Sequence, residues 1–355
     1  MTPNKRPGNA KPKNHNRLKA WKAKLTRPQK GQKYRLPELE RKLRIAADFY
    51  NPSIVATKRF INELNRMHQI GHVDPRACSR MFKNIRKFKN DWIIRQAGVW
   101  QALGEQYQNH PLFRSFNPES ASAASHNQQD TLSTAGTQIG VAGEKIPRPL
   151  SGKPVKSVRI NRLKQVTLAL KSLRLFLHVQ IAHQRIFSGK VFFRNAVLSD
   201  VLEETMRSAF AKFRIKTNIK AKSRLIVKTD PYVLGLTIEN ILTNAAKAVE
   251  PTYDEVMHRA DGQATEARQG EINITIGKNS RGKAYLSIRD NGSGIDKEKL
   301  GQVVNGMVYG WEGKQTISGG VGMPLVSRAL HLLGNVKLSA ESEVGKFTEF
   351  TLTFD

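Results

Sequence analysis

The second half of the chain alternates between two spacings of hydrophobic residues. Segments with an apolar residue every three to four positions, as in an amphipathic helix, alternate with short segments in which every second residue is apolar, as in a half-buried strand. Helices are predicted in "LSDVLEETMRSAFAKFR", "DPYVLGLTIENILTNAAKAVE" and "MPLVSRALHLLG", and strands in "RLIVKT", "EINITIGK", "KAYLSIRD", "NVKLSAES" and "KFTEFTLTF". Strands grouped around helices predict an α+β domain over residues 196–355, with a sheet that carries helices on one face.

The preceding region, residues 36–114, shows helical spacing only. "LPELERKLRIAADFY" predicts one helix, and "NPSIVATKRFINELNRMHQIG" predicts a second, with Asn51 as its cap and Pro52 at its first position. A third helix is expected from Asp74 to near Tyr107. These segments predict a small helical bundle.

Between this bundle and the C-terminal domain, the composition changes twice. Residues 115–157 are rich in small and polar residues and poor in apolar ones, which predicts a flexible linker. Residues 158–195 then contain a predicted helix with an apolar seam that steps by 3, 4, 3 and 4, formed by Leu163, Val166, Leu170, Leu173 and Leu177. Such a seam is typical either of a stripe that faces the protein's own core or of a dimerisation surface.

Charge is the unusual property of the whole chain. Its 355 residues carry a net charge of +30, and residues 1–35 contain 12 basic and no acidic residues. A run of this kind predicts a disordered, solvated arm. In a basic protein it is also typical of segments that bind polyanions such as nucleic acid, and both interpretations stay open.

Three features favour a cytoplasmic protein. The N-terminus lacks the apolar core of a signal peptide, and no run of 18 apolar residues predicts a membrane-spanning helix. Cys78 is the only cysteine, which excludes an internal disulfide and a multi-cysteine zinc site and suits a reducing compartment.

The longest C-terminal helix has a polar face with distinctive chemistry. Asn240, Asn244 and Lys247 follow one another at i, i+4 and i+7 and are therefore expected on one side of the helix. An amide oxygen is a suitable ligand for Mg²⁺, and an ammonium group pairs with phosphoryl oxygens. Alone, the pattern is equally typical of a solvated surface.

Two glycine clusters follow this helix. In "RDNGSGID", Asp290 ends a predicted strand, and Gly292 and Gly294 allow a sharp turn and the close approach of a flat ligand whose exocyclic amine the carboxylate can bind. In "SGGVGM", Gly320 and Gly322 precede a helix, whose N-terminal N–H groups can bind phosphate. Neither cluster is a Walker loop or a dinucleotide-binding fingerprint.

Together, and in this order, the polar helix and the glycine clusters resemble the ATP-binding domain shared by histidine kinases, DNA gyrase, MutL and the ninety-kilodalton heat-shock chaperone (the GHKL superfamily). "DPYVLGLTIENILTNAAKAV" is similar to the N box of that family, "IRDNGSGI" to its first glycine box, and "GGVGMPLVSRALHLLGNVKLSAESEVGKFTEFTLTF" to its second glycine box and closing strands. The resemblance covers residues 196–355 and is nearest to the histidine kinase branch. It implies a two-layer α/β sandwich, the Bergerat-type fold, that binds ATP with Mg²⁺.

On the phosphate side, the resemblance implies that Asn244 holds Mg²⁺ at the triphosphate. Asn240 would lie near the phosphates, Lys247 would contact one of them, and Gly320 and Gly322 would wrap around them.

On the adenine side, the resemblance implies that Asp290 accepts a hydrogen bond from the adenine amino group. Gly292 and Gly294 would make room for the base, and Thr348 would support this end of the ligand. Residues 297–319 would form a mobile lid.

The resemblance predicts kinase-like chemistry rather than hydrolysis. Hydrolysing members usually carry a glutamate at the position of Asn240, where it activates water, whereas histidine kinases usually carry asparagine. Glu239 is one residue away and would point about 100° away on an ideal helix. The usual phosphoacceptor pattern, His-Glu-x-x-x-x-Pro, is missing, and His178 and His183 are better interpreted as ordinary helix residues.

Two classes of function follow from these observations. The first is a histidine-kinase-like phosphotransferase in signal transduction of the two-component kind, with ATP, a response regulator or another protein, and a second copy of the chain as expected partners. The alternative is a nucleic-acid- or partner-binding protein that uses ATP binding as a conformational switch without kinase activity, with nucleic acid bound by the basic arm.

Overall fold

The computed structural model describes residues 36–107, 118–143, 155–209, 215–221, 224–249, 270–304 and 322–355. The predicted basic arm, Gly320 and residues 305–319 of the predicted lid lie outside the described residues.

Four long helices pack as a bundle in the N-terminal part of the structure. They are α1 (Leu36–Ile70), α2 (Pro75–Tyr107), α3 (Pro118–Gly143) and α4 (Val155–Ser188). α4 packs on both α1 and α3, and α3 packs on α2. An aromatic cluster joins α1, α2 and α4 and consists of Phe49, Tyr50, Phe88, Trp92, Phe176 and Phe187. Among the described residues, no helix is both long and apolar enough to cross a membrane.

α1 is a single helix where the sequence predicts two. The predicted helix start at Asn51 and Pro52 is wrong, because α1 continues through the proline. A proline in a helix interior removes a hydrogen bond and costs about 3 kcal/mol. The buried face of α1 nevertheless continues on both sides, with Tyr50 before the proline and Ser53 after it, and Ser53 Oγ donates to Gln180 Oε1 of α4 at 3.1 Å. We infer that packing against α4 outweighs the cost of the proline.

α3 occupies most of the segment whose composition predicts a flexible linker, so that prediction is wrong for residues 118–143. The buried side chains of α3 recur at helical spacing and are Leu132, Ala135, Ile139 and Ala142. Glycines let α3 approach α2 closely, because a Cβ on Gly143 would lie only 2.9 Å from Cβ of Cys78. Tertiary packing therefore stabilises a helix that the composition does not indicate. The domain boundaries themselves stay a prediction.

The apolar seam of α4 lies against the protein's own helices. Val166, Leu170 and Leu173 are buried, and Leu163 and Leu177 at the two ends of the seam are half-buried. Because α1 and α3 pack on α4 within one chain, the buried part of the seam is a core-facing stripe. A homodimer stays a prediction.

The C-terminal part contains a five-stranded sheet and a two-stranded ribbon. The sheet has the order β2-β4-β5-β7-β6, in which β2 and β4 are parallel and all other neighbours are antiparallel, and β1 pairs with β3 in the ribbon. The strands are β1 (Arg194–Val197), β2 (Lys216–Ala221), β3 (Ile226–Thr229), β4 (Glu271–Lys278), β5 (Ala284–Asp290), β6 (Val336–Glu343) and β7 (Phe347–Phe354).

Within the described residues, four helices accompany these strands and form an α+β domain, which confirms the predicted fold class. They are α5 (Leu198–Ala209), α6 (Pro231–Val249), α7 (Lys297–Val304) and α8 (Gly322–Leu333). α6 packs on β4 and β5, while α7 and α8 pack on β6. The sequence missed β1 and β2, because both short strands are largely exposed and lack alternating apolar residues.

Candidate nucleotide-binding site

α6 separates an apolar side from a polar side. Its apolar residues Ile238, Ile241, Leu242 and Ala245 are buried, whereas the three predicted site residues Asn240, Asn244 and Lys247 are half-buried. The predicted polar face therefore exists and is partly open to solvent.

The start of α8 lies beside this polar face. A Cβ on Gly322 would be 2.8 Å from Oδ1 of Asn240, so only a glycine fits here without displacing the asparagine. The Asn240 side chain is held by its own helix, because Nδ2 donates to the carbonyl oxygen of Leu236 at 2.8 Å. The N–H groups of the first turn of α8, which no helical carbonyl can satisfy, are thus brought close to the polar face of α6.

Asp290 is the last residue of β5, and the loop that follows it reaches the C-terminal end of α6. Asp290 pairs with Ile272 of β4 and Thr348 of β7, and both Asp290 and Thr348 are only 3% exposed. Gly292 N donates to Asp290 Oδ1 at 2.9 Å. Burial raises the pKa of Asp290 to about 6, although hydrogen bonds from the backbone of Gly292 and Thr348 partly oppose this rise.

Gly292 and Gly294 let the loop after β5 pack tightly between two other elements. A Cβ on Gly292 would lie 2.4 Å from the carbonyl oxygen of Ala248, near the end of α6. Gly294 has a φ of +67°, and its Cβ would lie 2.3 Å from the carbonyl oxygen of Glu343, at the turn between β6 and β7. The sequence interpretation assigned these glycines to ligand access and missed this packing role.

The structure thus brings two separate segments to α6. The first turn of α8 lies near Asn240, and the loop after Asp290 touches Ala248, two turns further along α6. Asn244 and Lys247 lie on α6 between these two contacts. Gly320, the remaining predicted site residue, is outside the described residues.

A buried ion pair that the sequence did not indicate anchors the start of α6. Asp230 caps this helix, with Oδ1 accepting from Tyr232 N at 3.1 Å. Its two carboxylate oxygens also accept from Arg185 Nη1 of α4 at 2.5 and 2.6 Å, and Oδ2 accepts from Phe192 N at 2.8 Å. The Arg185 guanidinium lies 4.7 Å from the ring centroids of both Phe192 and Tyr232.

α4 also contacts the helix of the second glycine cluster. Arg328 Nε of α8 donates to the carbonyl oxygen of Ile186 at 2.9 Å. The last turns of α4 therefore hold both helices that border the candidate site, α6 through Asp230 and α8 through Arg328. No local spacing signals these contacts, because the partners are 45 and 142 residues apart in the sequence.

Glu239 and Asn240 lie on different sides of α6. Glu239 lines a small cleft between α4, α5 and α6 together with His178 and Thr205, whereas Asn240 lies against the start of α8. The structure therefore agrees with the expected divergence of these two side chains.

Of the two histidines of α4, His183 is buried and His178 is half-buried. His183 is 6% exposed and packs against Tyr50 and Phe187, and burial lowers its pKa to about 4. His178 Nδ1 lies 2.9 Å from Glu204 Oε1, and its Nε2 is buried. Both thus have the surroundings of ordinary helix residues.

Residues 229–355 match the family model described as "Histidine kinase-, DNA gyrase B-, and HSP90-like ATPase". This part of the chain is therefore a domain of that ATPase family, as the sequence motifs predict.

Solved structures similar to this chain include several histidine kinases. The mycobacterial sensor histidine kinase MprB is 17% identical with a TM-score of 0.36, over 46% of this chain and 97% of its own. Acinetobacter baumannii histidine kinase AdeS is 11% identical with a TM-score of 0.33, over 65% and 97%. The histidine kinase domain of the Erythrobacter litoralis blue-light activated kinase is 15% identical with a TM-score of 0.31, over 62% and 94%. No curated protein matches the chain.

Proposed function

We propose that residues 196–355 bind ATP with Mg²⁺ on the polar side of α6 and that the protein transfers a phosphoryl group as a histidine-kinase-like enzyme. The observation that carries the ATP-binding part is Asp290, a buried carboxylate with a raised pKa at the end of β5, followed by a loop that packs on the end of α6. A perturbed, buried carboxylate beside a polar helix face is characteristic of a binding site.

The adenine end of the ligand is assigned to Asp290 and Thr348. The Asp290 carboxylate accepts a hydrogen bond from the exocyclic amine, which offsets the unfavourable burial of its charge. Thr348 lies directly across the strand pair from Asp290 and supports the same end.

The phosphate end is assigned to the face between α6 and α8. Lys247 supplies a positive charge, Asn240 a polar contact, and Gly322, together with Gly320, the backbone N–H groups. Asn244 offers the amide oxygen for Mg²⁺. The described residues contain no group of three or more His, Cys, Asp or Glu side chains arranged for a metal, so the ion needs phosphate oxygens as its other ligands. Bound Mg²⁺ would neutralise phosphate charge.

The residues of α6 favour phosphoryl transfer from ATP to a protein group over hydrolysis of ATP. Asn240 cannot act as a general base, and Glu239 lines a different cleft. His183 is buried and His178 is paired with Glu204, so we assign the acceptor to neither. The partner is then a response regulator or another protein, and a cytoplasmic location and membership of a two-component system belong to the same proposal.

Thermal unfolding tests ATP binding. At 100 times its dissociation constant, Mg-ATP should stabilise the fold by about 2.7 kcal/mol, which corresponds to roughly 5–10 °C in Tm. Asn244→Ala and Asp290→Asn should lose most of this shift, and Asp200→Ala, on the exposed surface of α5, should retain it. The absence of a shift at millimolar Mg-ATP in the unmodified protein contradicts the proposal.

Phosphoryl transfer is tested with γ-labelled ATP. Incubation with the purified protein should leave label on the chain or on an added partner, with little free phosphate, and the label should be acid-labile and alkali-stable where a histidine accepts it. Asn240→Glu should raise hydrolysis if a water molecule can reach the same position. Rapid hydrolysis by the unmodified protein, abolished only by Glu239→Gln, would reverse the roles given to these two residues.

A further inference from the structure

The solvent side of α2 between Arg76 and Asn90 has a uniform composition. Every residue that is exposed in this stretch is basic or small and polar, namely Arg76, Ser79, Arg80, Lys83, Asn84, Arg86, Lys87 and Asn90. We call this surface the α2 cationic face. Five of its eight residues are positively charged, and none is acidic or apolar.

The α2 cationic face is a continuous stripe on one side of the helix. Arg76, Arg80, Lys83 and Lys87 follow one another at spacings of 4, 3 and 4, which keeps their side chains in line. The stretch of 15 residues is about 21 Å long. The opposite side of α2 packs into the bundle through Ala77, Cys78, Met81 and Ile85, so the cationic face points away from the core.

The positive charges of this face are not neutralised by the protein's own described residues. The ion pairs among the described residues are formed by other side chains, and Asp74 and Asp91 flank the face only at its ends. Like charges three or four positions apart destabilise a helix by a few tenths of a kcal/mol per pair. A polyanion lying along the stripe would remove this repulsion.

We propose that the α2 cationic face binds the phosphate backbone of duplex nucleic acid, independently of the ATP site. Arginine and lysine contact phosphates through charge, and serine and asparagine donate further hydrogen bonds to phosphate oxygens. The surface lies on α2 and therefore consists of other residues than the basic segment 1–35.

The composition of the face separates duplex nucleic acid from other polyanions. Helices that lie on anionic membranes insert apolar or aromatic residues, and this face has none. Single strands are held by bases stacked on aromatic side chains, which are also absent from the face. Because the contacts are to phosphates, binding should depend strongly on salt and little on base sequence.

The test measures binding of the full chain to a mixed-sequence 20-base-pair DNA duplex by fluorescence anisotropy between 50 and 200 mM salt. The variant Arg80→Gln/Lys83→Gln/Lys87→Gln removes three charges from the face, and Gln retains a high helix propensity. The matched control, Arg281→Gln/Lys297→Gln/Lys299→Gln, removes three exposed charges from the C-terminal domain. A second variant, Arg80→Lys/Lys83→Arg/Lys87→Arg, keeps the charge of the face.

Each lost phosphate contact should reduce the log–log salt slope by about 0.9, so the α2 variant should lose about 2.7 in slope. Between 50 and 200 mM salt, the affinity of the unmodified protein should then fall about 40-fold more than that of the variant. The control and the charge-keeping variant should retain the unmodified slope.

Three results overturn the proposal. The first is no binding of duplex DNA at 50 mM salt, and the second is an equal loss of slope in the α2 variant and in the control. The third is binding to phosphatidylserine-containing vesicles, but not to the duplex, that the α2 substitutions abolish, because the occupant would then be a membrane surface.

Discussion

The Asp290 carboxyl group is buried, and this burial disfavours its ionised form. Burial raises its pKa to about 6 from an ordinary value of 3.8. The folded state therefore binds a proton more tightly than the unfolded state. The corresponding stability, about 3 kcal/mol, is fully present below pH 3.8 and is lost as the pH rises through 6. At neutral pH the buried charge is thus available to a ligand that can donate a hydrogen bond.

ATP affinity should fall as the pH drops below about 6, because a protonated Asp290 no longer offers a carboxylate to the adenine amine. Calorimetric titration with Mg-ATP between pH 5 and 8 measures this dependence. Asp290→Asn should bind weakly and retain only the pH dependence that comes from the phosphates of ATP. An unchanged pH dependence in Asp290→Asn would show that another group is responsible.

The surroundings of Gly292 leave no room for a side chain at this position. Gly292→Ala should destabilise the protein by several kcal/mol and reduce ATP binding, because the added Cβ would meet the carbonyl oxygen of Ala248 at 2.4 Å and push the Asp290 loop from α6. Gly301→Ala is the matched control, since nothing lies within 4 Å of its Cβ, and it should raise stability by up to about 1 kcal/mol. Chemical denaturation measures both, and equal stabilities would contradict the close contact.

At the scale of elements, the start of α6 is held by a buried carboxylate. Asp230 is fully buried and pairs with Arg185, whose side chain is 17% exposed. Removing one partner of a buried pair leaves an uncompensated charge, which typically costs about 3–5 kcal/mol. The same substitution also removes a helix cap.

Asp230→Ala should therefore destabilise the protein by about 3–5 kcal/mol in chemical denaturation. Asp230→Asn keeps a capping oxygen and should cost less. Asp200→Ala is the control, because Asp200 pairs with Arg224 at 3.6 Å on the surface, where such pairs contribute about 1 kcal/mol or less. Similar effects of Asp230→Ala and Asp200→Ala would mean that the buried pair does not anchor α6.

At the scale of the whole molecule, α4 belongs to both parts of the structure. It packs on α1 and α3 in the bundle and on α6 and α8 in the C-terminal domain. Within its last three turns, Gln180 bonds Ser53 of the bundle, while Arg185 bonds Asp230 of α6. Opening of the end of α4 is therefore coupled to both parts.

Mg-ATP should slow hydrogen exchange in peptides that cover the last turns of α4, although these turns lie outside the proposed ATP site. The reason is that a ligand stabilises every segment whose opening also disrupts the binding site. Arg185→Met should abolish this protection while leaving protection of the Asp290 loop. Protection confined to the C-terminal sheet in the unmodified protein would contradict the coupling.

Local patterns predicted most C-terminal elements because each of these contains its own signal, whereas β1 and β2 lack one. The β4–β5 hairpin follows alternating apolar residues on both sides of a glycine turn, with Gly282 at a φ of +76°. In the N-terminal half, the structure differs from the prediction at Pro52 and in α3. The signals for a helix break and for a flexible linker are local there, whereas the packing that overrides them involves distant segments. Long-range packing is not encoded in the spacing of one segment.

The sequence alone determined the α+β class of the C-terminal domain, the polar face of α6 and the positions of Asp290 and the glycine clusters, because periodicity and residue type act over a few neighbouring residues. Only the tertiary structure decided that Gly292 packs on α6, that Arg185 pairs with Asp230 and that the seam of α4 faces the bundle. These features depend on the burial of groups far apart in the chain, and burial is set by the packed molecule rather than by any one segment.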